Sequence, residues 1–175
     1  KINLLKWQNT PKIILDKNKK IWFPDGKINV YENCILKNLA EKKNKIAVIT
    51  IDKKKKIKKY SFKKINNLVN SFSYYLRSLK KNKKNFRVMI QSSASIESMI
   101  LMLSCCYLGI HFSVIFEELE DEAIVQRLNL FKPNIYFYNS QLKFNKKINY
   151  SSCKFLKFNK KKINTNKKIK INYYN

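Results

Sequence analysis

His111 is the one histidine among 175 residues, so it is the one side chain with an ordinary pKa suited to proton transfer near neutrality. It opens an apolar run and has no nearby Asp or cysteine-based constellation to form a catalytic pair, which favours a structural role. Ser92, Ser93 and Ser95 are candidate nucleophiles by type alone. A serine nucleophile needs a base within hydrogen-bond reach, and no His or Asp stands at a useful spacing from them. Cys34, Cys105, Cys106 and Cys153 comprise an adjacent pair and two distant singles, a spacing that suits neither a disulfide framework nor a zinc knot. They read as buried free thiols. Gly26 and Gly109 are the only glycines, so the chain has no glycine-rich loop to cradle a phosphate.

The formal net charge is +27, and all but three of the 38 basic residues are lysines. Such a field attracts nucleic acid or an anionic membrane. Specific readers of phosphate and bases favour arginine, however, and here there are only Arg77, Arg87 and Arg127. The lysines are spread over nearly every loop and helix exterior rather than focused on one face. Together with abundant Asn, Ile, Tyr and Phe, they read as compositional drift, and nucleic acid is not the expected partner. Gly and Pro are scarce at 2 and 3, so loops needing positive φ must place other residues there.

The elements that would position these groups follow from periodicity. Pro24-Asp25-Gly26 marks a turn, and Asn29 is a candidate cap for the short helix after it. Residues 45–51 read as a strand, 53–59 as a charged hairpin or loop, and Tyr60 as the opening of a second strand. Ser61 is placed to cap a helix over 62–79, where Ile65, Leu68, Val69, Phe72, Leu76 and Leu79 form one stripe. Residues 86–90, 111–116 and 134–138 are short apolar runs without polar alternation, and helices are expected between them over 96–108 and 121–130. The apolar stretch 99–116 is nearly long enough to cross a membrane, but Gly109 and His111 interrupt it, so a buried helix followed by a buried strand is expected instead. The order strand–helix–strand–helix–strand predicts an α/β fold with an incomplete parallel sheet flanked by helices. Lysine- and asparagine-rich 154–168 reads as a loop or edge segment.

Several of these residues also carry a resemblance. Trp22, Phe23, Gly26, Asn29 and Asn33 fit the entry motif of acetyl-, propionyl- and acetoacetyl-CoA synthetases. Arg87, Val88, Ile90, Glu97, Met102, Leu103, Cys105, Gly109, His111, Ser113, Val114 and Phe116 keep the spacing of a longer motif in those families, and Arg127 and Pro133 continue it. The chain therefore resembles the N-terminal part of an AMP-forming acyl-CoA synthetase, over about residues 11–147. The Lys132-Pro133 step is closer to the propionyl-CoA type.

The resemblance implies part of the large N-terminal domain of the adenylate-forming synthetase fold: an arm over 1–44, a partial ligase domain over 45–140, and a tail of that domain over 141–175. It implies a parent enzyme that uses ATP and Mg2+ to activate acetate or propionate and then joins the acyl group to coenzyme A, in the cytoplasm or an organelle matrix. The catalytic apparatus would lie in a C-terminal part of the same chain, which becomes the expected partner. An inactive truncated remnant is the alternative, and a basic nucleic-acid-binding module a more distant one. By the same resemblance Lys143 and Lys146 fall where two family arginines lie near the 3′-phosphate of coenzyme A. His111 falls where it would organise the strand end near the coenzyme A and acyl region, with a direct contact to coenzyme A as the alternative, so it joins Lys143 and Lys146 as a candidate cofactor-binding residue. Glu117 and Glu118 replace a pair of family glycines that let the thiol arm of coenzyme A approach closely.

Overall fold

The computed structural model describes residues 4–52, 54–138 and 150–158. Its centre is a four-stranded, all-parallel sheet made of β7 (Arg87–Gln91), β8 (His111–Ile115), β9 (Ile135–Tyr138) and β10 (Lys154–Lys157), in the order β10-β9-β7-β8. Helix α4 (Ile96–Tyr107) links β7 to β8 on one side. Helix α5 (Asp121–Phe131) carries the chain back past β7 to β9 on the other. Two consecutive crossovers that step in opposite directions put their helices on opposite faces, because each is right-handed.

The core records that split residue by residue. Val88, Ile90, Ile135 and Phe137 pack with α4 and with α3 (Phe62–Lys80), whereas Met89 and Tyr136 pack with Ile124 and Leu128 of α5. Successive residues of a strand point to opposite faces, so a strand covered on both sides has no polar position to spare. This is why these runs show no alternation. Helix α3 buries Ile65, Leu68, Val69, Phe72 and Leu76, as its stripe predicts, and Phe72 meets Phe137 with ring centroids 5.8 Å apart. Ser61 caps it by accepting from the Lys64 amide. Ser73 Oγ is buried in the same helix without a hydrogen-bond partner, a cost of about 1–3 kcal/mol. No helix among the described residues is long and apolar enough to cross a membrane, and 99–116 divides into α4 and β8.

The N-terminal segment forms two small hairpins, β1 (Trp7–Asn9) with β4 (Lys27–Ile28) and β2 (Leu15–Asp16) with β3 (Ile21–Trp22). The Asp25 carboxylate accepts from the Lys12 amide at 2.8 Å and the Ile13 amide at 3.2 Å and so joins the two. Phe23 meets Trp7 edge-on at 5.4 Å. A Cβ on Gly26 would stand 2.8 Å from the Trp7 ring, so glycine is required there by close approach. Trp22, beside it in the same motif, is mostly exposed. The arm meets the sheet domain through α1 (Val30–Cys34), capped by Asn29, whose Nδ2 also donates to the Cys106 carbonyl at 2.9 Å. Tyr31 is fully buried against Tyr107. Helix α2 (Leu39–Lys42) then leads into the antiparallel pair β5 (Ile46–Ile51) and β6 (Ile57–Ser61). Strand β6 begins three residues before Tyr60, because Ile57 pairs with Ile51 across the hairpin.

Two thiols differ in kind from the other two. Cys105 and Cys153 are buried, as expected, but Cys34 is exposed at the end of α1 and Cys106 is half-buried. Burial drives the Cys105 thiol pKa far up and pushes that of Cys153 up to about 12, so both stay protonated.

Scarcity of glycine leaves its mark on the backbone. Lys20, Phe23, Lys55, Lys81, Asn85 and Lys132 all have positive φ. Lys132 ends α5 in the left-handed conformation that glycine adopts without penalty. Lys132→Gly is expected to stabilise the fold by about 0.5–1 kcal/mol in denaturant unfolding, and a loss of stability would contradict this account of the cap. A pH effect is expected at Asp25, whose pKa is held below the usual carboxylate value by hydrogen bonds from the Lys12 backbone first and then Ile13. A depressed folded pKa stabilises above the unfolded pKa and loses that stabilisation as pH falls through the folded one. Protease cleavage of the arm should therefore accelerate on acidification, and Asp25→Asn should give the faster rate already at pH 7.

Candidate functional site

Strands β7 and β8 end side by side, and the segments that leave them frame a cavity of about 590 Å³. Ser92, Ser93 and Ala94 form one wall, with Ser98 and Met102 of α4 beneath them. Val114, Ile115, Phe116, Glu117, Glu118 and Leu119 form the other. Crevices outside the carboxyl ends of parallel strands are the usual ligand sites of open α/β sheets, and this volume suits a small organic molecule.

Local chemistry fixes both walls. Ser95 accepts from the Ser98 amide at 3.1 Å while Ser98 Oγ accepts from the Ser95 amide at 3.2 Å, a reciprocal cap that starts α4. Ser92 Oγ donates to the Ser93 carbonyl at 2.9 Å, and Ser98 Oγ to that of Ser95 at 2.9 Å. These hydroxyls are thus engaged in shaping the turn, and no imidazole stands beside them. The opposite wall hangs from Gln91, the last residue of β7 and only 2% exposed. Its Nε2 donates to the Glu117 carbonyl at 3.1 Å, and its Oε1 accepts from the Tyr136 hydroxyl at 2.7 Å. Burial, then Cys153 and Asp121 nearby, raises the Tyr136 pKa well above its usual value, so the phenol remains a donor. The sequence offers one signal for this relay, a glutamine closing an apolar strand.

The residues singled out from the sequence do not converge. His111 stands exposed at the amino end of β8, opposite Arg87, whereas the cavity lies at the carboxyl end. Four steps of extended chain separate the two ends by about 13 Å. The structure therefore does not bring His111 to the cavity. Arg87 belongs to that far end too: its guanidinium donates to the Phe131 carbonyl at 2.9 Å, and its backbone exchanges hydrogen bonds with Asn134. Lys143 and Lys146 lie outside the described residues. Glu117 and Glu118 do line the cavity.

A parallel sheet wrapped by helices, with a crevice at its carboxyl edge, defines an open α/β architecture. The chain belongs to the AMP-binding enzyme family, whose sequence model matches residues 35–170. It is 35% identical over 108 residues to the acetyl-coenzyme A synthetase of Helicobacter pylori strain P12, a match covering 62% of this chain and 16% of that protein. With the acetyl-coenzyme A synthetase of Magnetococcus marinus it shares 30% over 124 residues, covering 70% of this chain and 19% of the relative. The chain thus spans less than one fifth of the length of these relatives. Among solved structures it is similar in fold to CmiS6 and IdnL1, each with a TM-score of 0.66 over 76% of this chain, at 15% and 18% identity.

The described residues do not fit a nucleotide or its metal. Gly26 and Gly109 lie in separate turns, and no three His, Cys, Asp or Glu among the described residues group where an ion could sit.

Removing the Tyr136 hydroxyl leaves Gln91 Oε1 buried and unpaired. Tyr136→Phe is expected to cost about 1–3 kcal/mol in denaturant unfolding, and adding Gln91→Met should cost less than the two single changes summed. Additive losses would mean that the pair is not coupled.

Proposed function

We propose that this chain is the N-terminal portion of an ATP-dependent, AMP-forming ligase that joins acetate to coenzyme A, working in the cytoplasm or an organelle matrix. The observation that carries the reading is the family match over 35–170, together with relatives named for acetyl-coenzyme A. These relatives favour acetate over propionate.

On this reading the described residues supply scaffold and one ligand wall. The β7–β8 edge fixes the cavity, and the arm holds α4, whose first turn forms the cavity floor, from the far side. ATP, Mg2+ and the adenylation step belong to parts of the ligase beyond the described residues, joined in the same polypeptide. When bound, Mg2+ would screen the charge of the ATP phosphates. Lys143 and Lys146 are proposed contacts for the 3′-phosphate of coenzyme A, as point charges in place of bidentate guanidinium groups. His111 keeps a proposed role in shaping the strand rather than in touching coenzyme A.

The polypeptide that carries this chain should release AMP and pyrophosphate from ATP in the presence of acetate and coenzyme A, with a larger kcat/KM for acetate than for propionate. Release favouring propionate would overturn the substrate assignment. No carboxylate-dependent AMP at all would leave the inactive remnant as the correct reading.

A further inference from the structure

The fold divides the four cysteines into two that a reagent in solvent cannot reach and two that it can. Cys105 is buried in the layer of α3 and α4, and Cys153 in the layer of α5, on opposite faces of the sheet. Cys34 is the last residue of α1 and is exposed, and Cys106 lies in the last turn of α4 and is half-buried. These two are far apart in sequence, on the arm and on the sheet domain, and their spacing suggests no link between them.

Docking of the arm brings them to one contact. Helix α1 packs on α4 at the turn that holds Cys106. Asn29 Nδ2 donates to the Cys106 carbonyl at 2.9 Å, and the Tyr31 ring meets that of Tyr107 with centroids 5.1 Å apart. Cys34 stands three positions after Tyr31, so it lies one helical turn further along the side of α1 that faces α4. Burial first, and then the neighbouring Cys34, raises the Cys106 thiol above its ordinary pKa. The second of these effects fades beyond about 10 Å, so it places the two sulfurs near one another. Cys34 also ends a helix of only five residues, whose last turn has room to settle to the Cα separation of about 5.5 Å that a disulfide needs.

We propose that Cys34 and Cys106 form a reversible disulfide that locks the arm onto α4 when the surroundings turn oxidising. The oxidant is a small disulfide of the glutathione class. Exposed Cys34, as its thiolate, attacks one sulfur of that disulfide, which leaves a mixed disulfide on Cys34 and releases one small thiol. Cys106 then gives its proton to water and attacks Cys34 Sγ, forming the new S–S bond and expelling the second small thiol. Two protein thiols are thereby oxidised and one small disulfide is reduced to two thiols. Half-burial sets the order, because it keeps Cys106 from the reagent but not from its neighbour. In a reducing compartment a link of this kind is transient and regulatory rather than structural. The proposal rests on the contact between α1 and α4 and stands whether or not the ligase reading holds.

The test treats the complete polypeptide with oxidised glutathione, quenches at acid pH, alkylates the remaining thiols and reads the peptides by mass. A peptide pair joined through Cys34 and Cys106 should appear within single chains, while buried Cys105 and Cys153 stay reduced and so report an intact fold. Protease release of the arm should slow by about tenfold or more in the linked chain and recover with dithiothreitol, because the bond closes off undocked states. Cys106→Ala should stop at the mixed disulfide on Cys34 and release its arm at the reduced rate. In Cys34→Ser, glutathione should add to Cys106 about tenfold or more slowly than it adds to Cys34 in Cys106→Ala. A natural chain that accumulates the mixed disulfide on Cys34 without the joined pair would overturn the proposal. So would a bond from Cys34 to Cys34 between two chains in place of the pair, or a linked chain whose arm is released as fast as before. Ligase activity with acetate is measured separately, so its loss bears on the ligase reading and not on this one.

Discussion

Everything in this structure hangs on the two-sided burial of β7. It is the only strand of the sheet to pair in parallel with both β8 and β9, and each of its central residues is fully enclosed, Val88 and Ile90 toward α3 and α4, Met89 toward α5. A strand covered on both faces fixes its own register, because a slip of one residue exchanges the groups offered to two differently shaped helical layers. The exchange would set Met89 against α3 and α4. It would also move Gln91 off the end of the strand, taking with it the hydrogen bonds to Tyr136 and Glu117. Core packing and cavity shape are thus consequences of a single alignment. The arm follows at one remove, since Asn29 and Tyr31 dock on α4, and α4 takes its place from the sheet.

The central strand–helix alternation was legible because burial on both faces leaves an unmistakable trace, three short runs with no polar position. The α3 stripe and the caps at Asn29 and Ser61 were legible for a similar reason, each depending on neighbours within a few residues. The arm hairpins were not. Their strands are two or three residues long, and what holds them is Asp25 reaching across more than ten positions to Lys12 and Ile13. Strand β10 was visible only as an edge or loop, since Lys154 and Lys157 flank just two apolar residues and its stability comes from lying beside β9 and from Phe155 stacking near Tyr136.

The candidate site shows where sequence proximity misleads. His111 and Glu117 are six positions apart, yet β8 runs between them and puts them at opposite ends of the sheet. Ser93 and Glu117 are 24 positions apart and face each other across one cavity, because β7 and β8 are parallel neighbours that end together. In a parallel sheet the residues that meet are those following successive strands, not those preceding and following the same one. By that rule His111 stands apart, and the serine turn joins the glutamate loop.

Composition acts on this fold in two separable ways. Where a loop needs only a conformation, the chain accepts strain: Lys20, Lys55, Lys81 and Lys132 hold positive φ that glycine would hold freely, at roughly 1 kcal/mol each. A parallel sheet with two buried faces supplies enough burial to carry such losses. Among the described residues no lysine lines the cavity, although lysine is the commonest exposed residue elsewhere. Strain in turns is tolerated wherever the core can offset it. Glu117 is tied to that core through its backbone, since the buried Gln91 of β7 donates to its carbonyl.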